Sequence, residues 1–307
     1  MEETKDRNSN DITVLAGEFI ENLRMLKYSG SSTKSYSNSL DHFNHFIKAR
    51  GRNSAVEVTA HDIADYRLNL VERGLKQNSL YIYLRVVRLF FKYLHDNEHV
   101  FVNPAAGMKM PGPDRRLPSV PTENEIIALL SLPDTGTPIG MRDRAILETL
   151  YSTAMRNGEL VSMDVRDLDM AQSTIRIMGK GKQERIVPMG REAMNWVKRY
   201  LVEVRDGLMN ANMNESALWL NQEGKRLSGQ LLHIMIKRYV RSSDAISTHI
   251  TPHSLRRACA THMLQHGASP FDIQLLLGHA DLSHLRNYLR ISIHDLKAMH
   301  EKTRLGE

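Results

Sequence analysis

Apolar residues recur at helical spacing through most of the chain and switch to alternation at one place. Leu15, Phe19, Leu23 and Leu26 form one stripe within residues 11–27, the three-to-four-residue period of an amphipathic helix. Tyr36, Leu40, Phe43 and Ile47 predict a second helix that starts after Ser31-Ser32. Ile63, Tyr66 and Leu70 predict a third. It opens at Thr59 or Asp62, both good N-caps, and stops at Gly74. Leu80, Leu84, Val87, Phe91 and Leu94 predict a fourth, from about Asn78 to His95. Thr122 and Glu125 read as a capping box, and another helix is expected over residues 140–151. Between Ser173 and Pro188 the period becomes two. Ile175 and Ile177 mark one arm and Arg185 to Val187 the other, with Gly179-Lys180-Gly181 at the bend of a predicted β-hairpin. Helical spacing resumes near Arg191, near Ser228, at Pro252, at Pro270 and around Ser283. The pattern predicts a mainly α protein with a small β-sheet.

Proline breaks this pattern once. Pro104, Pro111, Pro113, Pro118 and Pro121 are half of the chain's 10 prolines, and they fall in one stretch with Lys109, Arg115 and Arg116. Proline removes amide donors and restricts the residue before it, so residues 104–120 read as an extended basic linker. A helical domain over residues 11–103 precedes it, and a mixed domain over 121–307 follows. At 307 residues, two domains are the natural partition.

Composition narrows the class. Hydrophobic residues make up 41% and charged residues 25%, as in ordinary globular proteins. No apolar run approaches the roughly 18 residues that suggest a membrane span, and the first residues are polar, without an apolar signal core. The single cysteine, Cys259, permits no intrachain disulfide, so a reducing cytoplasm is the expected compartment. A formal charge of +6 suits a polyanionic partner without identifying one. Arg85, Arg88 and Lys92 form a second, basic stripe on the fourth helix, which fits a solvated face as well as a DNA-facing one.

Candidate chemistry clusters after the linker. Thr251-Pro252 is a strong helix start, and His253 and Arg256 are neighbours on one face of its first turn. Imidazole and guanidinium at a helix N-terminus make a phosphate seat. Gly278 reads as a C-cap with His279 just beyond it, and Tyr288 follows in a short helical stretch. Upstream, Arg156 lies after the helix ending near Tyr151, with Glu159 placed to pair with it or fix the turn; Lys180 is at the hairpin bend. Each of these residues alone has an ordinary structural reading. No carboxylate cluster suggests a metal.

Together the ordered motifs resemble the tyrosine recombinase (phage integrase) family, most closely its Xer-like branch. The resemblance is carried by residues 154–160, 179–188, 251–264 and 277–283 and by Tyr288, and it extends to the four-helix N-terminal region and Asn103-Pro104-Ala105. It departs from the family pattern at Ala154-Met155, at Arg257, and at Leu289-Arg290 after the tyrosine. The resemblance implies a four-helix SAM-like core-binding domain plus a mixed α/β catalytic domain. It also implies that Tyr288 attacks a scissile phosphate to form a 3′-phosphotyrosyl intermediate. Arg156, Arg256 and His279 would then hold the phosphate, Lys180 would act as general acid, and His253 would assist proton removal. No cofactor or metal is implied.

The implied partners are double-stranded DNA and three further protomers, identical or homologous, on paired sites. A DNA translocase or accessory protein is a further partner that the resemblance allows. Arg85, Arg88, Lys92, Lys109, Arg115 and Arg116 are the candidate DNA-binding residues. The C-terminal stretch over residues 293–300 has helical apolar spacing, which suits closure of its own domain or docking on a neighbouring protomer. Resolution of chromosome or plasmid dimers is the leading role. An integrase or cointegrate resolvase of a mobile element, a nicking-closing topoisomerase and a non-catalytic DNA-binding protein are the alternatives.

Overall fold

The computed structural model describes residues 10–112, 119–179, 184–209 and 215–278. The chain divides into two compact units, Met1–Arg116 and Leu117–Glu307.

The first unit is helical: α1 (Ile12–Met25), α2 (Gly30–Ala49), a 3-10 turn (Ala55–Glu57), α3 (Ala60–Glu72) and α4 (Gln77–Asp96). Side-chain caps set the starts. Asp11 accepts from the amides of Thr13 and Val14. Ser29 accepts from Ser32, so α2 begins at Gly30, ahead of the serine pair expected to precede it. Both candidates for the start of α3 take part: Thr59 is the N-cap, and Asp62 closes the capping box by accepting from the Thr59 amide at 2.9 Å. The expected stripes converge on an aromatic core. Phe43 meets Tyr66 edge-on at 4.9 Å and Phe91 at 5.9 Å. Such pairs contribute about 0.5–1.5 kcal/mol beyond their burial. Within the stretch read as a linker, Ala105 is fully buried in this core, and Met108 and Met110 pack against it.

The second unit contains α5 (Glu123–Ser131), α6 (Pro138–Thr153), α7 (Asn157–Ser162), β1 (Leu168–Asp169), β2 (Thr174–Met178), β3 (Glu184–Pro188) and α8 (Arg191–Arg199). A π-helical segment, Tyr200–Arg205, prolongs α8. Then come α9 (Gly229–Arg241), α10 (Pro252–Gln265) and α11 (Pro270–Leu277). Helix α6 is the centre, packed against α5, α8 and α10. It is buried on nearly every side, as a core helix must be. Its entry requires glycine: a Cβ at Gly140 would fall 1.9 Å from the Asp134 carbonyl oxygen.

The predicted hairpin is present, antiparallel, with Ile175 opposite Val187 and Ile177 opposite Arg185. Two elements add to the expected ones. Strand β1 extends the sheet to the order β1-β2-β3, and α7 begins one residue after Arg156. Both are too short to carry a periodic signal. The helix expected around Ser283 lies outside the described residues.

Candidate active site

The site starts where α6 ends. Ala154 caps α6 in the left-handed region, at φ 49°, and the chain turns so that Arg156 becomes the N-cap of α7. Glu159, one turn into α7, accepts from the Arg156 amide and from its Nη1, each at 2.8 Å. This settles the two options for Glu159 in favour of both: it fixes the turn and it pairs with the arginine. The Arg156 side chain remains 38% exposed.

The expected start of α10 is reproduced in full. Thr251 caps it, receiving a bond from the Ser254 amide at 3.2 Å, and Ser254 Oγ accepts from the Thr251 amide at 2.6 Å. Pro252 occupies the first turn. His253 is exposed there, whereas Arg256 is only 4% exposed. The Arg256 guanidinium donates from Nη1 to the Ala154 carbonyl at 2.5 Å and from Nη2 to the Leu277 carbonyl at 2.6 Å. One side chain therefore joins the end of α6, the start of α10 and the end of α11. Gly278 follows in the left-handed region, at φ 59°, as the predicted C-cap.

The electrostatics favour the deprotonated form of both titratable groups, a neutral His253 and an anionic Glu159. His253 keeps much of its surface accessible, but partial desolvation of its ring lowers its pKa, and Arg256, Arg257, His233 and Arg156 lower it further, which favours the neutral imidazole that can accept a proton. Burial pushes the Glu159 carboxyl up, but bonds from Arg185 and Arg156 outweigh this and hold it at about 2. Arg185 and His233 were not among the predicted residues. Arg185 carried a signal: it shares the inward face of β3 with buried Val187, while Ile186 between them is exposed. His233, exposed on α9, carried none.

Other candidates fall in separate places. Lys180, His279, Tyr288, Arg115 and Arg116 lie outside the described residues, as does the tail over 293–300. Arg85, Arg88 and Lys92 are exposed along α4, opposite its buried seam, and Lys92 donates to Asp96 at 2.6 Å. Lys109 is exposed. Among the described residues, no group of three or more His, Cys, Asp or Glu side chains is placed to hold a metal ion. No described helix is long and apolar enough to cross a membrane.

Comparison with known proteins gives one family throughout. Residues 120–294 match the phage integrase family, and residues 15–99 match the N-terminal SAM-like domain of phage integrases. The tyrosine recombinase XerD of Pseudomonas putida is 35% identical over 287 residues, spanning 93% of this chain and 95% of that protein. The tyrosine recombinase XerC of Herpetosiphon aurantiacus is 36% identical over 265 residues, 86% of each chain. Among solved structures, the XerH site-specific recombinase bound to palindromic difH substrate aligns with a TM-score of 0.72 and 20% identity, covering 88% of this chain and 79% of that one. The Tn1549 transposon integrase in complex with transposon right-end DNA aligns with a TM-score of 0.73 and 18% identity, covering 94% and 99%.

Proposed function

From a chain that belongs to the phage integrase family, as a tyrosine recombinase of the Xer type that cleaves and rejoins DNA through a tyrosine intermediate, we propose a specific division of labour and assembly. Tyr288 Oη attacks the scissile phosphorus, the P–O5′ bond breaks, and a 3′-phosphotyrosyl bond keeps the phosphodiester energy for rejoining. Arg156, Arg256 and His279 bind the non-bridging oxygens as charge builds on them; guanidinium suits this because it is always charged and binds phosphate through two N–H groups. Lys180 gives a proton to the departing 5′-oxygen. His253 takes the tyrosine proton, a role that its lowered pKa supports.

The observation that carries this reading is the Arg256 anchor. It brings the Arg156 turn and the corner before His279 to the first turn of α10, where His253 stands. The substrate is double-stranded DNA, bound through phosphate contacts that position the protein and fewer groove contacts that choose the sequence. Arg85, Arg88, Lys92 and Lys109, with Arg115 and Arg116, supply phosphate contacts. Four protomers act on paired sites, all identical or with a homologous partner, in resolution of chromosome or plasmid dimers. Residues 293–300 dock on the next protomer, a head-to-tail contact that closes a ring.

The test mixes fragmented host DNA with wild-type protein and with Tyr288→Phe, denatures in SDS, and sequences the DNA that stays attached. A short inverted-repeat site recovered only with wild type is the expected result. SDS-resistant complexes with Tyr288→Phe would remove the nucleophile assignment, and attachment scattered over unrelated sequence would favour a topoisomerase. Deletion after Arg290 is expected to weaken cooperative assembly on paired sites more than binding of one protomer. Equal losses in a gel-shift titration would count against docking in trans.

A further inference from the structure

Arg185 has no part in the chemistry above, yet its surroundings are specific. Its side chain is only 15% exposed and meets Glu159 as a two-pronged fork, Nη1 to Oε1 at 3.0 Å and Nη2 to Oε2 at 2.8 Å. The same two oxygens receive the Arg156 Nη1 and the Arg156 amide. A single buried carboxylate thus sits between two guanidinium groups. On its other side Arg185 lies against Gly278: a Cβ there would fall 2.9 Å from its Cδ and Nε and 3.1 Å from its Cζ. Gly278 immediately precedes His279, and β3 is the arm that follows the Lys180 bend.

The charge balance gives the arrangement its meaning. Glu159 is 7% exposed and anionic. Paired with it alone, Arg156 would belong to a neutral ion pair, with little net attraction for a phosphate. With Arg185 present, the trio carries one net positive charge, and that charge is at the exposed member, Arg156. Coulomb interactions at partly buried sites are several-fold stronger than in bulk water, so this difference matters at a scissile phosphate.

We propose that Arg185 is a positioning residue for strand cleavage: it neutralises Glu159, so that Glu159 can fix the Arg156 turn without cancelling the Arg156 charge. This rests on the placement of Arg156 at the scissile phosphate. The second contact, with Gly278, ties the corner before His279 to the same side chain.

The test measures single-turnover covalent linkage to a nicked duplex built on the site recovered by SDS capture, with binding and melting temperature followed in parallel. Arg185→Met is expected to slow cleavage by about 100-fold, the scale of losing one electrostatic contact to the transition state, with no matching loss of binding. Adding Glu159→Gln to Arg185→Met is expected to restore most of that loss, because the amide still accepts from the Arg156 turn and carries no charge. Arg185→Lys keeps the charge and is expected to stay near the wild-type rate, which keeps the test open where Arg185→Met melts below the assay temperature.

A wild-type rate for Arg185→Met overturns the proposal. So does failure of Glu159→Gln to restore the rate, or an Arg185→Lys defect as deep as that of Arg185→Met, since either result makes Arg185 a structural staple. Arg156→Ala and Tyr288→Phe run in the same assay. If Arg156→Ala cleaves as fast as wild type, the assignment of Arg156 itself is wrong. If Arg156→Ala is inactive while Arg185→Met is unimpaired, only the present proposal fails.

Discussion

The two units of the chain treat buried charge in opposite ways. Among the described residues, Asp62 is the only charged residue buried in the N-terminal unit, and the rest of that interior is uncharged, aliphatic and aromatic apart from Thr33, Ser39 and Asn44. The C-terminal unit buries Glu125, Arg142, Asp143, Glu148, Glu159, Arg205 and Arg256. A buried charge is costly unless paired and hydrogen-bonded, so seven in one unit require a reason. The arginines share one. Arg142 donates to the Leu220 carbonyl, Arg205 to the Ala217 carbonyl, and Arg256 to those of Ala154 and Leu277. Each guanidinium pins backbone outside the regular elements or at their ends. The N-terminal unit connects its helices with short caps and turns and has little such backbone to hold. The C-terminal unit places Arg156 and Gly278 at corners between elements, and a buried cation, Arg256, holds the backbone beside both.

The sharpest way to break this contrast is to remove one member of a buried network. Asp143 is fully buried, accepts from Arg142 at 2.7 and 3.0 Å and from Tyr239 Oη at 2.8 Å, and also pairs with Arg238 at 3.2 Å. Asp143→Ala leaves Arg142 buried without its carboxylate. The expected loss is about 3–5 kcal/mol, read by urea denaturation as early unfolding of the C-terminal unit. Phe43→Ala in the aromatic core is expected to cost a similar 3–5 kcal/mol through the cavity it leaves, confined to the N-terminal unit. A loss below 1 kcal/mol for Asp143→Ala would mean that the buried charges are incidental to the C-terminal fold.

The same contrast explains what the sequence discloses. The N-terminal unit is held by periodic apolar residues and local caps, so its four helices were legible to within a few residues. The start of α2 moved to Gly30 because Ser29, not a later serine, receives the first amide. In the C-terminal unit the hairpin and the start of α10 were legible for the same local reasons. Arg256 as an anchor between Ala154 and Leu277 was not, because its partners are backbone atoms far away in sequence. Arg185 shows the middle case: alternation places a cation on the inward face of β3, but nothing local says that Glu159 receives it. The helix α7 and strand β1 escaped notice because elements of six and two residues do not establish a period.

Acid offers a milder probe. Burial pushes the Glu125 carboxyl up, but bonds from Thr122, Thr248 and Ser247 outweigh this and hold it at about 2, against an ordinary value of 4.5. Glu159 is held at about 2 as well. A folded-state pKa below the unfolded one adds stability above the unfolded value, and that stability disappears as pH falls toward the folded one. The melting temperature of the C-terminal unit is therefore expected to be level above pH 5 or so and to decline between about 4.5 and 2. Glu125→Gln is expected to lower the plateau and flatten the decline, since that carboxylate ties the start of α5 to the Ser247-Thr248 turn. A decline of unchanged steepness in Glu125→Gln would place the acid sensitivity elsewhere.

The smallest effect is expected on the exposed face of α4, where the basic stripe points away from the buried seam. Arg88 is exposed on α4, whose buried face is formed by Leu84, Val87 and Phe91. Arg88→Ala should therefore leave stability within about 0.5 kcal/mol of wild type. If the α4 stripe follows the DNA backbone, the loss appears in the salt dependence of binding: the slope of log K against log salt falls by about 0.9 for each phosphate contact removed. Lys92 separates a real contact from general basicity. Its ammonium is already engaged by Asp96 at 2.6 Å, so Lys92→Ala should reduce the slope less than Arg88→Ala. Equal reductions would mean that the stripe acts as diffuse charge, and no change in either variant would move the DNA-facing surface off α4 altogether.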